Sequence, residues 1–298
     1  KSTATVKVYN LTTKTYTDVQ TDAMVFGLAD INAFAGYKGD LADPDDDIGL
    51  QFTDVDFALA TFTEQAGAKR KWTAIDSTVG GASFAGIPDV TLSVDNTHII
   101  MNKKAADNTV IDFKAMQTAG NGYTVTTGVN AAGEAQRVTF SIEGKKGDLI
   151  QVYGHTNIDI FGLVTVEGGF GFEKSSRQVT LSTGAKVNTD VLAFGMTGVD
   201  AMIGYTGDAP DGSEDFGLRF TDIDLALVTF KETTGSRKWT AVDSNIGSAA
   251  FVGIPEITLG VNDASILVNK KAADNTVIDF KAMKAAGSAY EFVAGVDE

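Results

Sequence analysis

Carboxylates crowd two short stretches of this chain, Asp40-Leu41-Ala42-Asp43-Pro44-Asp45-Asp46-Asp47 and Asp208-Ala209-Pro210-Asp211-Gly212-Ser213-Glu214-Asp215. Calcium takes about six to eight oxygen ligands, many of them carboxylates, so Asp40, Asp43, Asp45, Asp46 and Asp47, with Asp208, Asp211, Glu214 and Asp215, could supply a calcium site in each stretch. Neither stretch has the Asp-x-Asp-x-Asp-Gly run and distant Glu of a helical calcium loop, nor the Gly-Gly-x-Gly-x-Asp nonapeptide of a calcium-binding roll. A solvated acidic turn is the plainer expectation, since runs of like charge usually face water.

A second acidic pair, Asp54 and Asp56 in Phe-Thr-Asp-Val-Asp, recurs as Asp222 and Asp224. On a regular strand residues two apart project to one face, so such a pair could be half of an acid and base couple or a metal site. No catalytic partner follows, and a strand whose polar face bonds a neighbouring backbone is preferred. The two histidines, His98 and His155, are read as isolated surface or turn residues, because Ser265 stands where His98 would be repeated. Trp72 and Trp239 each follow a basic turn, Lys69 to Lys71 and Arg237 to Lys238. An aromatic beside cations could stack on a sugar, although a core tryptophan anchoring a strand is the stronger reading. No Gly-x-Ser-x-Gly elbow, phosphate loop or dinucleotide fingerprint occurs in strand-to-helix context.

Each of these features except the histidines occurs twice because the chain is nearly one sequence written twice. Ala23 to Gly120 returns as Val191 to Gly287 with one single-residue deletion and more than half of the positions identical. Lys103 to Met116 is repeated without change as Lys270 to Met283. Matching Lys1 to Lys174 and Trp72 to Trp239 divides the chain into a complete unit, residues 1–173, and an incomplete one, residues 174–298. The second unit lacks the counterpart of Ala132 to Glu173, with its apolar runs Arg137 to Glu143, Asp148 to Tyr153 and Ile158 to Glu173. Lys1 already falls inside the repeat pattern, so the chain is expected to be a piece of something longer.

Within a unit, runs rich in Val, Ile, Phe and Thr are separated by Gly, Asp, Asn and Pro, which predicts strands and turns. Gly49 to Phe62, Ala82 to Met101 and Ile158 to Phe172 alternate as strands with one buried face. Gly-Ile-Pro-Asp at Pro88 and Gly-Ile-Pro-Glu at Pro255 rebuild one turn in each copy. Asn108 to Ala119 is the best helical candidate, yet its Thr109-Val110-Ile111 start favours strand. The expected fold is all-β, an elongated repetitive sheet, rod or solenoid, with two β-sandwiches as the alternative.

Composition narrows the classes further. The 298 residues carry a net charge of −15 and no cysteine, and 43% of them are hydrophobic. Such acidity disfavours nucleic acid and anionic membranes as partners. Disulfides and thiolate metal sites are ruled out, and no apolar stretch is long enough for a membrane-inserted helix.

Gly49 to Ala60, Lys71 to Ser77, Ala82 to Val94 and Val166 to Lys174 together resemble the repeats of giant bacterial surface proteins of the LEPR-XLL type and related adhesin-like chains. The likeness covers nearly the whole chain and brings no catalytic residue with it. It implies a secreted, non-enzymatic stalk, filament or adhesin segment. Its partners would be neighbouring repeats or identical subunits, which add strands at the unit ends, and cell-surface glycan. A calcium- or glycan-binding β module is the alternative.

Overall fold

The computed structural model describes residues 2–39, 47–130, 132–207, 212–254 and 258–296. Among the described residues fourteen strands form: β1 (Ser2–Asn10), β2 (Tyr16–Tyr37), β3 (Ile48–Glu64), β4 (Lys71–Ala85), β5 (Val90–Lys103), β6 (Thr109–Ile111), β7 (Thr124–Val129), β8 (Ala135–Thr139), β9 (Leu149–Ile160), β10 (Val164–Thr180), β11 (Lys186–Tyr205), β12 (Phe216–Glu232), β13 (Lys238–Val252) and β14 (Leu259–Lys270). Two six-residue helices accompany them, α1 (Phe113–Thr118) and α2 (Phe280–Ala285). The all-β expectation holds, and one sheet replaces the paired sheets of a sandwich. Twelve strands lie side by side in the order β14-β13-β12-β11-β10-β9-β5-β4-β3-β2-β1-β6, while β7 and β8 pair separately.

The boundary between the repeats falls inside a strand. Residues of β10 on both sides of Lys174 pair with β11 in one antiparallel ladder, from Val164↔Ile203 to Thr180↔Lys186, with a bulge at Gly168. The strand that ends the first repeat therefore continues directly into the strand that begins the second. Its second half occupies the place that β1 takes in the first repeat.

Each long strand has two different halves. One half carries small and apolar residues at alternate positions, such as Ala58, Ala60 and Phe62 on β3 and Trp72 and Ala74 on β4. These halves curve around a core, because β6 follows β5 in the chain yet pairs with β1 through Val8↔Ile111. Trp72 Nε1 and Asn102 Nδ2 fasten the wrap by donating to the carbonyls of Thr109 and Ile111, at 3.1 and 2.8 Å. Helix α1, Phe140 and Ile142 close the first core. In the second unit Trp239, Phe230, Ile278 and Met283 repeat the arrangement, with Leu181↔Ile278 in place of the β1–β6 pairing.

The other half stands nearly alone. Among the described residues no second sheet faces it, and apolar side chains there, including Tyr37, Leu50, Leu92, Ile203, Tyr205 and Phe216, are exposed. Between the halves runs a line of left-handed residues: Asp30, Asp54 and Asn96 in the first repeat, Gly198, Asp222 and Asp263 in the second. Asp and Asn tolerate this conformation better than other side-chain-bearing residues. The ladder shifts or skips at this line, as between Leu28 and Ala33 on β2, and bulges of this kind increase local twist.

Three sequence expectations are corrected. Ile158 to Phe172 is a hairpin, because Phe161 and Gly162 turn the chain at φ 55° and 62°. Ala82 to Met101 is likewise β4 and β5 joined through the turn that contains Pro88. Asn108 to Ala119 is strand and then helix: β6 is followed by Asp112, whose carboxylate caps α1 by accepting from Ala115 N at 2.8 Å.

Candidate functional site

The chemistry-bearing residues divide between structural duties and one joint. Asp54 and Asp56 do not form a facing pair. Asp54 has φ 52°, which interrupts the alternation of β3. A Cβ added to Gly80 on β4 would lie 2.8 Å from its Cβ. Asp56 Oδ1 accepts the backbone N–H of left-handed Asp30 at 3.1 Å, and Asn32 Oδ1 accepts that of Asp54 at 3.1 Å. The second repeat rebuilds both bonds: Gly198 N donates to Asp224 and Asp222 N to Asp200. The Asp56, Asp200 and Asp224 carboxylates and the Asn32 amide oxygen thus satisfy backbone N–H groups that the bulges release from the ladder.

Of the acidic stretches, Asp40, Asp43, Asp45, Asp46, Asp208 and Asp211 lie outside the described residues. Asp47 accepts from Gly39 N at 3.0 Å, and Asp215 accepts from Gly207 N at 3.0 Å and pairs with Arg219. Glu214 is exposed on the adjoining turn. Among the described residues no group of three acidic, histidine or cysteine side chains comes together to hold a metal ion.

Trp72 and Trp239 are each 1% exposed and donate inward to Thr109 and Thr276. Sugar stacking through an open ring face is thereby excluded for both, and their role is in the core. Arg70 and Arg237 cover the outer sides, 5.1 and 5.4 Å from the ring centroids. Each guanidinium also forks between two carboxylates, Glu64 and Asp107 in one unit, Glu232 and Asp274 in the other. The hydrogen bonds from Arg70 and Arg237 hold the Glu64 and Glu232 carboxyls below the usual range. The motif ties the β3–β4 and β12–β13 turns to the loops after β5 and β14.

The histidines sit on strands rather than in turns. His98 stacks on Tyr153 with ring centroids 4.9 Å apart. Burial pushes the nearby Asp76 carboxyl up, partly opposed by His98. His155 is buried opposite Asp95 and Gly169, and its Nδ1 has no partner among the described residues.

The joint between the repeats holds a buried polar cluster, and sequence reasoning missed it because its members come from four separate segments. Glu173, 2% exposed, accepts from Ser175 Oγ at 2.8 Å, Lys146 Nζ at 3.3 Å, and Gln151 Nε2 and Tyr290 OH at 3.4 Å. Arg177 lies 4.4 Å from the Tyr290 ring centroid. Burial, reinforced by the Glu173 charge, raises the Tyr290 hydroxyl pKa and keeps the phenol a donor. Lys146 and Gln151 belong to the first repeat and Tyr290 to the second, so one buried carboxylate fastens the two together. Beside it a cleft of about 270 Å³ gathers Lys14, Lys104, Lys145 and Arg177.

The remaining candidates are the sheet's unpaired edges. In β5 every residue from Ile99 to Asn102 has a partner on β9, whereas its repeat counterpart β14 pairs only with β13. Leu259, Ile266 and Leu267 on β14 are 66%, 50% and 80% exposed. At the other end, β2 beyond Ala23 has a partner only on its β3 side, while its counterpart β11 is paired along both edges.

Comparison with family models, curated proteins and solved structures finds no match. No helix among the described residues is long and apolar enough to cross a membrane.

Proposed function

We propose that this chain is a structural segment of an extracellular repeat protein, a stalk, filament or adhesin rod without enzymatic activity, in which repeats are joined edge to edge through one continuous sheet. The observation that carries this reading is the ladder β5-β9-β10-β11, which crosses the repeat boundary without a linker. Tandem domains meant to move independently are separated by flexible stretches with few crossing contacts. Here the boundary is hydrogen-bonded throughout and fixed by Glu173. The roles found for Asp56, Trp72 and Arg70 are all architectural, which further supports the reading.

Growth by repetition has a definite step. From β2 to its counterpart β11 is six strand positions in the sheet order, so each added repeat lengthens the sheet by roughly 29 Å at ~4.8 Å per strand. Small-angle scattering and negative-stain microscopy of chains carrying two, three and four repeats test this. A longest dimension rising by about that step per repeat is expected. A dimension that rises far less, as repeats folding back on one another would give, overturns the reading.

A further inference from the structure

The first repeat shows what its own residues 135–160 do, and the second repeat has the matching surface uncovered. In the first repeat, β8 pairs with β7 from Thr124↔Thr139 to Val129↔Ala135. The chain then runs over α1. Phe140 N donates to Tyr123 O at 3.0 Å, Lys114 N donates to Ile142 O at 3.1 Å, and the Phe140 ring stacks on Phe113 with centroids 5.0 Å apart. Lys104 N donates to Asp148 at 3.2 Å, and β9 then covers β5. Phe113 and Phe140 are both 0% exposed.

The counterparts of Tyr123, Phe113, Lys114 and Lys104 are Tyr290, Phe280, Lys281 and Lys271. Residues 290–296 already lie where β7 would, on a floor of glycines. An added Cβ at Gly171 would strike Val293 O and one at Gly195 would lie 2.7 Å from Ala294 Cα, so the close approach requires glycine. Among the described residues nothing takes the place of β8, Phe140 or β9. Phe280 and Phe292 are only half-buried. Leu267 is 80% exposed where its counterpart Ile100 packs against the first core.

From this we infer that the second repeat is a receptor for an extended segment with the sequence chemistry of residues 135–160. Val138, Phe140 and Ile142 are the anchors that enter beside Phe230, Phe280 and Tyr290, and the following strand pairs with β14. Strand addition of this kind draws affinity from main-chain bonds and specificity from pockets for alternate side chains. The occupant is defined by an occupied copy of the same site 167 residues earlier in the sequence. The inference deepens the proposed structural role by naming the partner at this edge.

The test adds a synthetic peptide of residues 135–160 to the 298-residue chain. Calorimetry is expected to give saturable one-to-one binding, and hydrogen exchange is expected to show new protection of β14 amides from Gly260 to Asn269. A peptide carrying Phe140→Ala is expected to bind at least tenfold more weakly. A second chain, with a copy of residues 132–173 appended after Glu298, is expected to unfold around Trp239 at higher denaturant than the parent. Absence of both peptide binding and stabilisation by the appended copy overturns the inference. So does binding that is indifferent to Phe140→Ala, or that leaves β14 unprotected. The readout uses one chain and is independent of whether longer arrays extend, so the two proposals fail separately.

Discussion

Replacing Phe140 by alanine should selectively weaken the first core. Its side chain is 0% exposed, stacked 5.0 Å from Phe113 and 6.4 Å from Tyr123 between ring centroids. Truncating such a buried phenylalanine costs about 3–5 kcal/mol, because the transfer energy is lost and the cavity is not refilled. Among the described residues the second core contains no counterpart of Phe140 and shares no cluster residue with the first, so Phe140→Ala should shift it by less than about 1 kcal/mol. Nature supplies a reporter in each core: Trp72 and Trp239 are each 1% exposed in different clusters. With 5-fluorotryptophan at both positions, fluorine resonances followed through a urea titration would separate the transitions. In the parent chain Trp239 should be released first, because its core lacks Phe140, Ile142 and Leu149, each contributing about 2 kcal/mol by burial. In Phe140→Ala the Trp72 transition should fall toward that of Trp239. Equal shifts of both resonances would refute the reasoning, since they would mean that the continuous sheet, and not the local core, sets each unit's stability.

Three further outcomes follow from other parts of the molecule. Asp54→Val should cost about 1–2 kcal/mol, since a β-branched residue resists the left-handed backbone, while Asp54→Gly should be nearly neutral; equal melting temperatures for the two variants would be inconsistent with the bulge. Glu173→Ala should cost about 2 kcal/mol through its lost charge-assisted bonds and should increase hydrogen exchange on both sides of Lys174; unchanged exchange there would remove Glu173 as the joint. The Asp76 carboxyl, raised by burial from 3.8, binds its proton more tightly in the folded chain. Its contribution to stability is full below about pH 4 and is lost as pH rises through the folded value. Asp76→Asn should therefore raise the melting temperature at pH 7 more than at pH 4, and an equal gain at both would contradict the assignment.

Much of the architecture was legible because it depends on local periodicity. The repeat register, the strand-rich class and the Pro88 turn can be read from the residues themselves. The hairpin at Phe161 was not, because a phenylalanine in the left-handed region carries no turn signature, and the aliphatic alternation continues across it. The Asp54 and Asp222 bulges had a usable signal, an Asp inside an apolar strand opposite Gly80 or Gly247, but the alternation rule assigned both carboxylates of each pair to one face. The return of β6 to β1 and the cluster around Glu173 depend on contacts between distant segments, which no short window contains. Trp72 and Arg70 look identical in sequence whether they bind a ligand or seal a core; only the burial of the ring decides between them.

The unbroken ladder also determines how the molecule would respond to tension. A pull on the two sheet ends acts across the strands, along the direction of the ladder hydrogen bonds, so strands detach one after another from an edge instead of shearing together. Six strands laid flat would span roughly 29 Å along that direction, while the 173 residues of the first repeat could reach roughly 600 Å when fully drawn out. In an array of the proposed kind the folded sheet would act as a shock absorber, yielding in small steps at modest force and lengthening about twentyfold before the backbone itself became taut.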